Sequence, residues 1–148
     1  MNKLINLLIK KDLCFVTGVP DTTLKEIIEK IKNNNKIKHV IATDEGEAMG
    51  IACGYYLATG KTPVVYLQSD GLCNAINPIV SLFNVYKIPA ILLIGWRGLD
   101  NDAIQHRKMG SILLKQLKLL GIEYKIADKD IDLKTKPNNI TALIFKKQ

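Results

Sequence analysis

Two long apolar runs constrain the fold of this chain more than any other feature of its sequence. Pro63 to Leu67 reads P-V-V-Y-L, Pro89 to Gly95 reads P-A-I-L-L-I-G, and neither run contains a charged residue. A strand with one face in water alternates apolar and polar side chains, whereas a parallel strand covered on both faces is apolar throughout. Both runs therefore predict interior strands of a parallel sheet.

Helical patterns and turn residues separate these runs from four weaker strand patterns. The weaker strands are expected at residues 14–17, 39–42, 123–127 and 141–145, and helices at residues 3–11, 23–33, 45–59, 74–84 and 112–120. Strands that alternate with helices in this way form mostly parallel sheets. We therefore predict an α/β fold, a parallel sheet of about six strands with helices on both faces, as one domain over residues 1–148. A polar, proline-containing linker at residues 128–139 would join the last two strands.

Composition bears on partners and location. The net charge is +7, but the lysines are scattered and arginine occurs only at Arg97 and Arg107. This distribution does not favour nucleic-acid binding. No apolar run is long enough to span a membrane, the amino terminus lacks a signal-peptide pattern, and the three cysteines are far apart. We expect a soluble, cytoplasmic protein with buried free thiols and no membrane partner.

The polar residues of most interest follow the predicted strands. Ligands of open α/β sheets bind beyond the carboxyl ends of the strands, and Asp21, Glu45, Gln68 to Asp70 and Arg97 follow strands one to four in turn. Glu45 also opens a helix that is rich in small residues, namely Ala48, Gly50, Ala52, Cys53 and Gly54. Because glycine lowers helix stability by about 1 kcal/mol relative to alanine, we expect this helix to approach another helix, another subunit or a ligand closely.

Other nucleotide-binding and catalytic motifs fit poorly. The dinucleotide fingerprint G-x-G-x-x-G is absent, and Ala58 to Thr62, which ends like a phosphate-binding loop, closes a helix instead of opening one. A triad of Ser69, His106 and Asp21 stays open as an alternative, although no G-x-S-x-G elbow surrounds the serine.

Five longer motifs follow one another between residues 13 and 121. They are F-V-T-G-V-P-D-T-T-L-K from Phe15, T-D-E-G-E-A from Thr43, G-Y-Y-L-A-T-G-K from Gly54, P-V-V-Y-L-Q-S-D-G-L-C-N-A-I-N-P from Pro63 and I-L-L-I-G-W-R-G from Ile91. Together with Gln105-His106, they resemble the phosphonopyruvate decarboxylases, and sulfopyruvate decarboxylases are similar in the same segments. The G-V-P-D and G-W-R-G wording favours the phosphonopyruvate family.

The resemblance implies a subunit of a thiamine diphosphate enzyme. In these families a pyrimidine-binding domain and a diphosphate-binding domain hold the cofactor between two subunits, and the second domain holds Mg²⁺. Only the pyrimidine-binding domain has a counterpart here, because the G-D-G and following Asn of the other domain are missing. The resemblance therefore implies an α-type subunit in a homo- and hetero-oligomer, whose diphosphate-binding β-type partner is a separate chain.

The implied reaction is decarboxylation of phosphonopyruvate to phosphonoacetaldehyde and CO₂, with sulfopyruvate as the alternative 2-oxo acid. Glu45 would hydrogen-bond a ring nitrogen of the cofactor's aminopyrimidine and favour its imino tautomer. Asp21 and His106, the latter in a polar segment outside the predicted helices, would assist proton transfer. Simpler alternatives are a helix-terminus carboxylate for Glu45, a helix cap for Asp21 and a surface histidine for His106.

The resemblance also implies binding roles. Arg97 would pair with the phosphonate or sulfonate of the substrate, although a structural salt bridge is its alternative. Cofactor or substrate contacts are implied for Gln68, Ser69 and Asn74. The neighbouring Glu47 and Asp44 are expected to be capping or solvated charges.

The sequence departs from the family pattern at two places. Asp70 and Cys73 stand where the family more commonly has Ser and Gly, and the segment L-D-N-D-A-I after Gly98 is not the usual Glu-Pro-rich wording. A non-catalytic interaction module of the same fold and a flavodoxin-like nucleotide-binding domain are the rival functions. If the decarboxylase reading holds, Glu45 is expected in an open cleft or at an oligomer interface.

Overall fold

The computed structural model describes residues 2–100, 102–127, 131, 133 and 135–146. The chain begins with α1 (Asn2–Lys10), β1 (Phe15–Gly18), α2 (Lys25–Lys32), β2 (Lys38–Ile41) and α3 (Glu45–Thr59). Next come β3 (Val64–Gln68) and α4 (Leu72–Pro78), which continues through a π-helical turn (Ile79–Phe83) into α5 (Asn84–Tyr86). The remaining described elements are β4 (Ala90–Trp96), α6 (Ile104–Leu119), β5 (Glu123–Ile126) and β6 (Ile140–Lys146).

The six strands form one sheet in the order β2-β1-β3-β4-β6-β5, and every neighbouring pair is parallel. The two apolar runs became β3 and β4, which lie side by side in the middle of the sheet. From β1 the chain moves outward to β2 and then returns to β3 on the other side of β1. This reversal leaves a crevice at the carboxyl ends of β1 and β3, where such sheets bind ligands. The predicted six-stranded parallel fold is confirmed.

Helices cover both faces of the sheet, as predicted. Val64 and Tyr66 of β3 face a core built with α1 and α2. The alternate residues Val65 and Leu67 face a second core built with α3, α4, the π-helical turn and α6. Because each strand of the centre contributes to both cores, its residues are apolar throughout.

The small residues of α3 divide between two faces. Ala48, Met49, Ala52 and Cys53 are buried in the core. A Cβ atom built at Gly50 or Gly54 would meet nothing within 4 Å. The glycines therefore do not serve close packing inside this chain, and the face of α3 that carries them is open to a partner.

Three expectations need correction or lie outside the described residues. Helix α6 begins at Ile104, well before the predicted residue 112, because its first turns pack through backbone contacts that leave no apolar periodicity in the sequence. All three thiols are free, but Cys73 is exposed and Cys14 only partly buried. Much of the predicted linker, residues 128–130, 132 and 134, lies outside the described part of the chain.

None of the described helices has the length and hydropathy that a membrane span requires.

Candidate active site

Side chains that follow β1, β3 and β4 meet at the carboxyl edge of the sheet. Arg97 Nη1, just beyond β4, lies 3.5 Å from Asp21 Oδ1 and donates a long hydrogen bond of 3.5 Å to Gln68 Oε1. The first contact reaches past β3 to the loop after β1, and the second reaches the end of β3. The convergence expected from the order of polar residues along the sequence is therefore present in the fold.

Glu45 is the first residue of α3 and is only 5% exposed. Its Oε2 accepts a 2.9 Å hydrogen bond from Asn74 Nδ2, whereas no described residue donates to Oε1. The carboxyl group lies against Gly71, where a Cβ atom would stand 2.0 Å from Oε1. Glu45 is thus buried within the chain by Gly71 and Asn74, because α4 packs against the start of α3. Of the two settings that we expected, the open cleft is wrong, and the oligomer interface stays a prediction.

Asp44 and Glu47, the two carboxylates beside Glu45, make hydrogen bonds at the start of α3, in line with the capping role expected for them. Asp44 is the N-cap of α3, and its Oδ1 accepts a 3.0 Å hydrogen bond from Glu47 N. Glu47 Oε2 accepts bonds of 2.6 Å from both the amide and the hydroxyl of Thr43. These hydrogen bonds lower the pKa of the exposed Glu47 carboxyl. Of the three acidic residues in this segment, Glu45 is the buried one, and its Oε1 has no donor among the described residues.

Asp21 combines a helix cap with a position in the crevice. Its Oδ2 accepts a 3.1 Å hydrogen bond from Leu24 N, just before α2. Its side chain, which is 1% exposed, lies so close to β4 that a Cβ at Gly95 would stand 2.3 Å from Oδ2. The other oxygen, Oδ1, has no hydrogen-bond donor among the described residues, although Arg97 lies near enough to balance its charge.

Arg97 is held by Asp102 in a two-pronged ion pair. Arg97 Nε and Nη2 donate bonds of 2.7 and 2.8 Å to the two carboxylate oxygens of Asp102. The same carboxylate accepts 2.9 Å bonds from the amides of Gly98 and Ala103. The hydrogen bonds from Arg97 and Gly98 hold the pKa of Asp102 well below its ordinary value, and the bond to Asp102 raises the pKa of Arg97. Only Nη1 stays free of Asp102, and its contacts are long, including 3.3 Å to Thr22 Oγ1.

A second polar cluster joins β3 to α6. Ser69 Oγ accepts a 3.1 Å bond from Arg97 N and lies 3.3 Å from Asp70 Oδ2. Asp70 Oδ1 lies 3.0 Å from Nδ1 of His106. The predicted site residues Ser69 and His106 therefore meet through Asp70. Among the described residues no hydrogen bond links Ser69 directly to His106 or His106 to Asp21, so the triad considered as an alternative is not assembled.

Helix α6 is fixed to the end of β4 by backbone contacts. Trp96 Nε1 donates a 2.9 Å bond to the carbonyl of Gly110. A Cβ at Gly110 would lie 2.0 Å from the carbonyl oxygen of Arg97, and one at Gly98 would lie 2.1 Å from that of His106. His106, expected in a polar segment without a helix, is therefore held in the first turns of α6 beside the site.

The sequence reasoning missed three residues that shape the site. Asp70 was named among the polar residues after the third strand and as a departure from the family, but neither it nor Gly71 or Asp102 was assigned a role. A signal existed for Asp102, since an acidic residue closely follows Arg97 and a glycine in a short polar loop. Gly71 gave none, because its φ of −66° suits any residue and its need for small size arises only from the Glu45 carboxyl.

Comparison with known proteins identifies a matching family and similar enzymes. Residues 2–123 match the family described as thiamine pyrophosphate enzyme, N-terminal TPP binding domain. Sulfopyruvate decarboxylase subunit alpha of Methanococcus maripaludis is 38% identical over 111 residues, which are 74% of this chain and 66% of that subunit. Phosphonopyruvate decarboxylase of Streptomyces viridochromogenes is 33% identical over 119 residues, 79% of this chain and 30% of that enzyme.

A solved structure agrees in fold. Benzoylformate decarboxylase from Polynucleobacter necessarius superposes with a TM-score of 0.73 over 95% of this chain and 28% of that one, at 18% identity. The resemblance to the two decarboxylase families that the motifs suggested is confirmed by the relatives, although the matched part of the chain spans 66% or less of the two enzymes described above.

The fold and the site together define an α/β domain with a buried carboxylate and an ion-paired arginine at the carboxyl edge of a parallel sheet. Because the family match covers most of the chain, the assignment can be made at the level of the family. The chain belongs to the N-terminal TPP-binding domains of the thiamine pyrophosphate enzymes.

Proposed function

We propose that this chain is the pyrimidine-binding subunit of a thiamine diphosphate-dependent decarboxylase. Its substrate would be phosphonopyruvate, with sulfopyruvate as the alternative, and both are 2-oxo acids that carry a strongly anionic group. A separate β-type chain would supply the diphosphate-binding domain and the Mg²⁺. The whole of residues 1–148 would then be one pyrimidine-binding domain.

The observation that carries the proposal is the state of the Glu45 carboxyl. One oxygen is held by Asn74, and no described residue donates to the other. Because Glu45 is only 5% exposed, a hydrogen bond made at this oxygen is stronger than one made in open solvent. A neutral ring nitrogen of an aminopyrimidine accepts a hydrogen bond from a protonated carboxyl and, once it carries the proton, donates one to a carboxylate. The residues present therefore fit this part of the cofactor in both states.

The cofactor, when bound, supplies the electron sink that carbon–carbon bond cleavage needs. The work of this chain would be to position it and to handle protons. Glu45 would hold the proton shared with the aminopyrimidine nitrogen, and Asn74 would keep the carboxyl in place. Asp21 and His106 would assist proton transfer to the substrate carbon. Gln68 and Ser69 would line the same pocket.

Arg97 has one nitrogen available for the substrate anion. Its Nε and Nη2 are committed to Asp102, while Nη1 makes long contacts with Thr22 and Gln68 and lies 3.5 Å from the carboxylate of Asp21. An anionic oxygen of the substrate would bind Nη1 more strongly than the two neutral oxygens do, and it would share the charge of Nη1 with Asp21. We therefore propose that Arg97 binds the phosphonate or sulfonate of the substrate through Nη1 alone, and not through two nitrogens at once.

A partner chain is supported by the exposed face of α3. Beside the uncovered Gly50 and Gly54, Leu57 is 71% exposed and Val80 of the neighbouring π-helical turn is 47% exposed. Apolar side chains beside exposed backbone suit close packing of another helix. The relatives of Methanococcus maripaludis and Methanocaldococcus jannaschii are each named as an alpha subunit, which also favours a hetero-oligomer.

The proposal is tested by reconstitution. The chain is mixed with its candidate β-type partner, thiamine diphosphate and Mg²⁺, and CO₂ release is measured with phosphonopyruvate and with sulfopyruvate in separate reactions. Glu45→Gln keeps the size of the side chain but removes its charge and its proton-accepting capacity. Because general acid–base groups contribute about 10²–10⁴-fold to rate, we expect kcat to fall at least about 100-fold.

Glu47→Gln is the matched control. Glu47 lies in the same first turn of α3 as Glu45, and its contact with Thr43 needs only an oxygen that accepts hydrogen bonds. It should retain activity close to that of the wild type. Equal activity of Glu45→Gln and wild type would contradict the catalytic role of Glu45. A complex that forms with the partner but releases no CO₂ from either acid would instead favour the non-catalytic interaction module.

A further inference from the structure

We propose that Asp70 is a positioning residue that fixes the ring orientation and the tautomer of His106. The inference rests on the proposed function for its catalytic meaning, but its structural content stands on the contacts of Ser69, Asp70 and His106. It concerns a residue at which this chain departs from the decarboxylases it resembles, so the family pattern does not supply it.

The pair is a shielded one. The side chain of His106 is 14% exposed and that of Asp70 is 23% exposed, with Nδ1 and Oδ1 3.0 Å apart. His106 lies on α6, which is held against β4 by Trp96 and Gly110, and Asp70 lies in the short turn between β3 and α4. The contact therefore joins a fixed helix to a short turn, and both side chains are mostly shielded from solvent.

The backbone amide of Arg97 fixes the direction of the hydrogen bonds that link Arg97, Ser69 and Asp70. The amide of Arg97 can only donate, so Ser69 Oγ is the acceptor of the 3.1 Å bond between them. The single hydrogen of the Ser69 hydroxyl is then free to point to Asp70 Oδ2, 3.3 Å away. Asp70 Oδ2 is thus an acceptor, as a carboxylate oxygen should be.

The other oxygen of Asp70 faces Nδ1 of His106. Because a carboxylate has no hydrogen to give, Nδ1 must carry the proton of this bond. A neutral imidazole protonated at Nδ1 has its lone pair at Nε2, which makes no hydrogen bond to any described residue. Asp70 therefore prepares Nε2 as the atom that accepts or returns a proton, in the manner by which buried carboxylates orient histidine bases.

The first test needs only the intact chain. Its two histidines, His39 and His106, give two sets of ring nitrogen signals in a ¹⁵N NMR experiment. At a pH high enough that the ring nitrogen signals no longer change with pH, both rings are neutral and their tautomers can be distinguished. We expect His106 to be protonated mainly at Nδ1. A wild-type His106 protonated mainly at Nε2 would overturn the proposal without any variant.

Asp70→Asn gives the second test, with nearly unchanged side-chain volume. Since the Ser69 hydroxyl still needs an acceptor, the amide oxygen should face Ser69 and the NH₂ group should face His106. The NH₂ group can only donate, so Nδ1 would lose its proton and His106 would become the Nε2-protonated tautomer. We expect the tautomer ratio to change by at least about tenfold, the equivalent of one hydrogen bond to a charged group.

Asp12→Asn is the matched control for the loss of one negative charge. Asp12 pairs with Lys61 on the surface and has a φ of 56°, which asparagine tolerates. It should leave both histidines unchanged, and the signals of His39 report whether either variant keeps its fold. An Asp70→Asn protein that keeps the His39 signals and the wild-type tautomer of His106 would refute the positioning role.

Activity separates this proposal from the proposed function. In the reconstituted enzyme, Asp70→Asn should lower kcat at least about tenfold and leave KM nearly unchanged, because a proton-transfer group in the wrong tautomer loses much of its contribution. Unchanged kcat together with a changed tautomer would refute the catalytic use of the pair. A reconstituted wild type without activity would count against the proposed function, while the NMR result would still decide the role of Asp70.

Discussion

Replacing Gly71 with alanine tests whether the space beside Glu45 is required for the site. The backbone of Gly71 is helical, with φ −66° and ψ −18°, so alanine fits the main chain without strain. Its Cβ would nevertheless stand 2.0 Å from Oε1 and 2.4 Å from Cδ of Glu45. Ordinary contacts begin near 3.4 Å, so the carboxyl would have to move by more than about 1 Å.

The lost contact of Glu45 sets the magnitude. Moving the carboxyl breaks its 2.9 Å bond from Asn74, and a hydrogen bond to a charged group contributes about 1.5–3 kcal/mol. Because Gly71 is the N-cap of α4, a position where glycine is preferred to alanine, alanine brings no compensating gain in helix stability. We expect a loss of roughly 2 kcal/mol in the free energy of unfolding, which lowers the Tm by a few degrees for a domain of this size.

Activity should change far more than stability. Displacement of a catalytic group by about 1 Å can cost about 100-fold in rate, so Gly71→Ala should lose most of its decarboxylase activity at temperatures where it remains folded. Thermal unfolding and reconstituted CO₂ release measure the two effects. Gly50→Ala is the control for helix propensity, because its Cβ would contact nothing, and it should raise the Tm of the isolated chain. Wild-type activity and Tm in Gly71→Ala would refute the packing of Glu45 against Gly71.

Three further outcomes follow from the charged and buried groups. Asp102→Asn should lower the Tm at neutral pH. Because the pKa of Asp102 is depressed, its contribution to the free energy of unfolding is complete above the ordinary pKa of about 3.9. The acid unfolding curves of variant and wild type should therefore converge at strongly acidic pH. Burial, with a smaller effect of Lys32, lowers the pKa of His39 from 6.5, so stability should fall as the pH drops below 6.5, and His39→Gln should weaken that dependence in pH-dependent melts. Burial raises the pKa of Tyr66 to about 12, so stability should fall as the pH rises from 10 towards 12. Because the chain has five tyrosines, the signal of Tyr66 is taken as the difference between the absorbance titrations of the wild type and of Tyr66→Phe. A difference that shows tyrosinate near pH 10 in the folded chain would count against the raised pKa.

The fold could be predicted because its signals are local. The strands β3 and β4 are apolar throughout since they contribute to two cores. Helix α3 was predicted with its observed bounds because both ends carry their own signals. Asp44 caps the first turn, and Gly60 ends the helix with a φ of +70°. Helix α6 was predicted too short, because contacts of Gly98 and Gly110 with backbone atoms hold its first turns and leave no apolar repeat.

The sequence could predict which polar residues lie at the carboxyl edge of the sheet, but not how they pair; their roles in a functional site stay predictions. The rule that ligands bind beyond the carboxyl ends of parallel strands was enough to select Asp21, Glu45 and Arg97 from one sequence. Pairings such as Asn74 with Glu45 depend on how α4 lies against α3, which periodicity does not specify. Size requirements such as that of Gly71 depend on the same packing and are visible only in three dimensions.

The two departures from the family pattern have a common structural outcome. Asp70 contacts the ring of His106, and Asp102, within the unusual segment after Gly98, holds the guanidinium of Arg97. In both cases a carboxylate contacts a nitrogen-bearing side chain of the candidate site. A carboxylate does not attract an anionic substrate, so we expect both of them to act on the orientation of the side chains that they contact. Asp102 leaves Nη1 of Arg97 with only long contacts, including the one of 3.5 Å to Asp21. Asp70 leaves Nε2 of His106 without a hydrogen bond to any described residue. Replacing either carboxylate should therefore change the orientation of the Arg97 guanidinium or of the His106 ring, while the same residues still line the site.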